Sequence, residues 1–62
     1  MVTAALCALR RDYPAAAARV AAWEFVGPRC VAVDVDGRLV AVVRVEPRLI
    51  CGWSAVVLDV WA

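Results

Sequence analysis

The sequence predicts a small α+β domain of order ααβββ: two short N-terminal helices, or one kinked helix, followed by a three-stranded antiparallel meander. Three observations point there. Apolar residues recur at helical spacing in the first part of the chain. From Arg29 onward the spacing becomes period two and rich in valine. Pro14, Gly27-Pro28, Asp36-Gly37 and Pro47 punctuate the pattern where elements should end. With 62 residues there is room for one domain, and a chain of this size buries only about 60% of the surface its unfolded form exposes.

The first helix is expected over residues 2–12, with Val2, Leu6, Leu9 and Tyr13 on one face and Thr3, Arg10 and Arg11 off it. Pro14 stops or kinks it, because proline lacks an N–H and restricts the residue before it. Proline also suits the first turn of a new helix, so a second helix is expected over 14–26. Ala16, Ala17, Val20 and Trp23 share a side, the helix's small-residue surface suits it to lie close on a sheet, and Gly27-Pro28 ends it.

Strands are expected over 29–35, 38–46 and 49–60. Between the first two, Asp34-Val35-Asp36-Gly37 has aspartate at the start of a type I turn and glycine at the left-handed position. A three-residue loop with a bulge then sets Asp34 opposite Arg38. That register places Val31, Val33, Leu39, Ala41, Val43 and Val45 on one face. Cys30, Ala32, Asp34, Arg38, Val40, Val42, Arg44 and Glu46 fall on the other. The third strand is apolar on both sides, and Gly52-Trp53-Ser54 is a candidate position for a bulge. Strands of that kind are normally buried on both sides, yet two short helices cover one face only.

Composition excludes most chemistry. Apolar residues make up 66% of the chain, 26 positions are alanine or valine, and there is no His, Lys, Asn or Gln. Ser54 and the cysteines therefore lack a histidine or lysine to activate them as nucleophiles. Cys7, Cys30 and Cys51 are odd in number, with no C-x-x-C pair, which fits neither a zinc site nor a disulfide framework. They read as small reduced hydrophobes in the cytoplasm. The net charge is +1, without a basic stripe, so no nucleic-acid partner is expected. The longest uncharged run, ten residues from Leu49 to Leu58, is short of the roughly 20 that a spanning helix needs. The expectation is an absence of catalytic residues, cofactor, metal and membrane span.

Two stretches resemble known families. Cys30-Val-Ala-Val-Asp-Val-Asp-Gly-Arg-Leu-Val40 resembles the first motif of the haloacid-dehalogenase phosphatases. The resemblance implies Asp34 as nucleophile and Asp36 as general acid beside Mg²⁺. Arg38 stands where that family has threonine, and its downstream lysine is missing, so the hairpin turn is preferred. A calcium loop on the same residues would need ligands at Ala32 and Val43, and fails. Val26-Gly-Pro-Arg29, Asp36-Gly-Arg-Leu-Val40 and Arg44-Val-Glu-Pro-Arg48 together look like the C-terminal hairpin of RelE/ParE-type toxins. That likeness implies Arg29, Arg44 and Arg48 as residues facing RNA or a partner, without the tyrosine and histidine of the family's motifs.

The functional expectation is a non-enzymatic protein–protein interaction module of the antitoxin, inhibitor, phage-accessory or assembly-subunit type. It would act as a homo-oligomer or on a protein partner, through an apolar sheet face or an edge strand. The expected contact surface is Val40, Val42, Trp53, Val57 and Trp61, rimmed by Arg29, Arg38 and Arg44, with Asp34, Asp36 and Gly37 as turn residues. The alternatives are a degenerate RelE/ParE-like toxin using its arginines, and an open reading frame or generated sequence without an evolved role.

Overall fold

The computed structural model describes residues 2–50 and 52–61. Two helices, α1 (Val2–Asp12) and α2 (Pro14–Ala18), precede four strands: β1 (Ala22–Val26), β2 (Arg29–Val33), β3 (Leu39–Pro47) and β4 (Trp53–Val60). The strands form one antiparallel meander in the order β1-β2-β3-β4. Cys51, within the expected third strand, lies outside the described residues.

The sheet therefore has four strands, where the sequence pattern predicts three. The expected second helix stops at Ala18, and Ala22–Val26 is a strand. Alanine carries α2 only as far as Ala18. Trp23, Phe25 and Val26 favour the pleated surface, and the next two residues decide the matter. Gly27 adopts φ +61°, and the ring of Pro28 holds its own φ near −65°. Positive φ first and negative second is the arrangement of a two-residue II′ hairpin. Val26 accordingly pairs with Arg29, and Trp23 with Ala32. The same dipeptide that ends a helix here turns a strand back on itself.

Pro14 separates α1 from α2. Tyr13 leaves the helical region (φ −140°, ψ 66°), and Pro14 opens α2, where a missing N–H costs nothing. Tyr13 still donates to the Leu9 carbonyl at 2.7 Å and accepts from Ala17 at 3.0 Å, so the chain bends without orphaning these groups. The buried residues of α1 are Ala5, Ala8 and Leu9, whereas Tyr13 is exposed.

The helices cover one face of the sheet. Leu9, Ala16 and Ala17 pack on Ala32, Val40 and Ala41, and Ala5 packs on Cys30, Val43 and Val45. Trp23 and Val57 touch both groups and join them. Among the described residues, six of the eleven that are buried are alanines. Their small side chains let helix backbone approach sheet closely, and they also limit how much apolar area the core removes from water.

Two bulges set which residues meet. Val33 pairs with Leu39 but Ala32 with Ala41, so Val40 is an extra residue on β3. Val43 pairs with Val57 but Val42 with Asp59, so Leu58 is an extra residue on β4. The first bulge overturns the expected division of faces. The buried set is Cys30, Ala32, Val40, Ala41, Val43 and Val45, while Val31 and Val33 lie on the opposite side with Val42. One inserted residue reverses the side of β2 relative to the rest of β3. The bulge expected at Gly52-Trp53-Ser54 sits instead at Leu58, and Trp53 and Ser54 pair regularly with Pro47 and Glu46.

Candidate contact surface

The face turned away from the helices is built from alternate residues of all four strands. Across the middle run Glu24, Val31, Val42 and Asp59, each opposite the next. The adjacent row is Val26, Arg29, Arg44 and Val56. Val33 and Leu39 extend the apolar area toward one end; Glu46 and Ser54 close the other. Val56 is 62% exposed, and Leu39 and Leu58 are nearly half exposed. Val31 and Val42 make the centre of this uncovered face aliphatic, with Glu24 and Asp59 at the ends of their row and Arg29 and Arg44 beside them in the next.

Arg29 and Arg44 stand directly opposite one another, an arrangement that like charges disfavour. Arg44 turns along its own strand to Glu46, with Nη2 2.9 Å from Oε1. This exposed pair offsets part of the repulsion without adding much stability. Arg48, the third arginine of the toxin-like pattern, lies beyond β3 and lines a hollow with Ala4, Cys7, Ala8, Arg11 and Trp53 on the helix side. The structure thus joins Arg29 and Arg44 and leaves Arg48 apart.

The expected contact surface is divided in the same way. Val42, Arg29 and Arg44 lie on the open face. Val40 is fully enclosed beneath the helices and Val57 packs into the core, so these two belong to the covered side. Trp53 and Trp61 sit at opposite ends of β4 and are 44% and 38% exposed. Trp61 lines a hollow with Tyr13, Pro14 and Arg19. Its carbonyl accepts from Arg19 Nη2 at 2.6 Å, and its N–H donates to Val40 at 2.9 Å. Val31, Val33, Leu39, Val56 and Leu58 complete the open face and are the residues that sequence reasoning did not gather. Their signal was the alternation itself, hidden by the two bulges.

Asp34 and Asp36 form a turn. Gly37, at φ +77°, donates to the Asp34 carbonyl at 3.1 Å, and Asp34 donates to the Arg38 carbonyl at 3.0 Å. The Asp34 carboxylate accepts the backbone N–H of Asp36 at 2.9 Å and of Arg38 at 3.0 Å. One Asp34 carboxylate oxygen is thus engaged with the loop's own backbone, and Arg38 sits in this loop rather than at the rim of an apolar patch. Cys7 is exposed and free; Cys30 is free and buried, and burial pushes its thiol pKa up. A raised pKa disfavours the nucleophilic thiolate. Among the described residues, no three His, Cys, Asp or Glu side chains are placed to share a metal ion.

The sheet has two edges, β1 and β4. No helix among the described residues is long and apolar enough to cross a membrane. No protein-family model, curated protein or solved structure matches the chain.

Proposed function

We propose that this chain is a non-enzymatic protein–protein interaction module that works through its sheet. The carrying observation is a four-stranded sheet covered on one face only. Its other face centres on Val31, Val33, Leu39, Val42, Val56 and Leu58. Burial of such surface against a second protein supplies the area that a chain of this length lacks by itself. The roles that fit are antitoxin, inhibitor, phage accessory protein or subunit of a larger assembly, in a homo-oligomer or on a protein partner. Light scattering on the purified chain across a concentration series tests this. A discrete dimer or tetramer is the expected result; a strict monomer throughout would contradict self-association.

A second reading rests on the side-by-side arginines Arg29 and Arg44. A toxin-like chain would present them to RNA or to a target protein. Its expression would arrest growth, and Arg44→Ala would relieve the arrest. Growth unaffected by expression would remove this reading.

A further inference from the structure

We infer that β4 is a self-association edge, pairing antiparallel with β4 of a second copy about a two-fold axis at Ala55. This rests on the contact-module reading and specifies its surface and partner.

As an edge strand, β4 has backbone groups that β3 does not engage. In an antiparallel ladder, bonded and non-bonded pairs alternate, and residues of the non-bonded pairs turn their N–H and C=O away from that neighbour. Arg48 donates to Gly52 at 2.7 Å, closing the β3–β4 connection with a bonded pair. Alternation then makes Glu46/Ser54 and Arg44/Val56 bonded, and Pro47/Trp53, Val45/Ala55 and Val43/Val57 non-bonded. Val45 supplies an independent check: its N–H goes the other way, to the Pro28 carbonyl at 2.9 Å. Trp53, Ala55 and Val57 therefore present their N–H and C=O groups outward.

A two-fold axis at Ala55 brings these groups together without remainder. Ala55 meets Ala55 of the second copy, and Trp53 meets Val57 in both directions. All three pairs are of the bonded type, about six N–H···O bonds in all. On the open face Ser54 meets Val56. No charge occurs between Leu49 and Leu58, so no like charges oppose one another along the paired segment. The Leu58 bulge ends the segment at Val57 by kinking the strand just beyond it.

The other edge is guarded. Val26 and Arg29 flank a two-residue turn and form a bonded pair, so Trp23 and Phe25 carry the outward groups of β1. Pairing both of them with a second β1 places Glu24 opposite Glu24 in a non-bonded pair, with Cα atoms about 4.5 Å apart. A charge within a short edge strand is a recognised protection against such pairing. Pairing β4 with β1 of another copy does not close and would propagate as a fibre, whereas the β4 pairing closes as a dimer.

Residue-resolved amide exchange at high and low protein concentration, with light scattering on the same samples, tests the proposal. The expected mass at high concentration is twice 6.7 kDa. The amides of Trp53, Ala55 and Val57 should exchange at least tenfold more slowly there than at low concentration. Ala55→Pro should return the chain to monomer with its circular dichroism retained, because the lost N–H points outward and proline is tolerated there. If that variant unfolds, the exchange data on the parent chain still decide. A dimer whose Trp53, Ala55 and Val57 amides stay fast overturns the edge assignment and leaves the contact-module reading standing. A strict monomer at every concentration overturns both for self-association.

Discussion

Val40 and Val42 are two residues apart on one strand, and period-two alternation puts them on the same face. The bulge at Val40 separates them: Val40 is fully buried under the helices, and Val42 is half-buried on the open face. Valine to threonine changes a methyl into a hydroxyl at nearly constant shape, so it reports on solvent access. At Val40 the new hydroxyl enters a site walled by Leu9, Ala16, Ala17, Ala32 and Ala41. Burying it without a fully satisfied partner costs about 1–3 kcal/mol. At Val42 the hydroxyl reaches water and the cost stays within about 0.5 kcal/mol. Unfolding entropy near 2.1 cal/mol/K per residue makes each kcal/mol worth about 8 °C in Tm for a chain of this length. Val40→Thr should thus lower Tm by about 8–24 °C and Val42→Thr by about 4 °C or less. Thermal unfolding followed by far-ultraviolet circular dichroism reads both, at matched protein concentration, since self-association raises Tm with concentration. Equal losses at the two positions would refute the bulge and restore the simple alternation.

The turn and the buried thiol supply further tests. Asp34→Ala removes the acceptor of two backbone N–H groups, 2.9 and 3.0 Å away. It should cost about 1–2 kcal/mol by urea denaturation, whereas Asp36→Ala, whose side chain makes no such bond, should cost less than half as much. Burial raises the Cys30 pKa above its ordinary 9.0. The folded state therefore keeps a proton that the unfolded chain has lost. This contribution to stability is whole below pH 9 and is lost as pH rises from there through the folded pKa. Denaturation midpoints of the parent chain should fall more steeply above pH 9 than those of Cys30→Ala; parallel slopes would show that the thiol is not buried.

The hairpin between β2 and β3 is legible in residue types, because aspartate at the start of the turn and glycine at the left-handed position leave few alternatives. The strand β1 is not. The run Ala15 to Ala22 contains four further alanines besides its ends, interrupted by Arg19 and Val20, and alanine's helix propensity carries the pattern past the true boundary at Ala18. Gly27-Pro28 adds to the ambiguity, being both a common helix stop and, with Gly27 at positive φ, a hairpin turn. The contact surface is the least legible part. Two single-residue bulges reverse the side on which Val31, Val40 and Val60 fall, and no local preference announces an extra residue in a valine-rich strand where either face is apolar.

That the sheet is the contact surface, with β4 as its meeting edge, is tested most directly by intermolecular nuclear Overhauser effects in a sample mixing isotope-labelled and unlabelled chains. The expected signals connect Ser54 of one copy with Val56 of the other, and Trp53 with Val57. Intermolecular signals confined to the helices, with none from any residue of β4 or of the open face, would contradict the account.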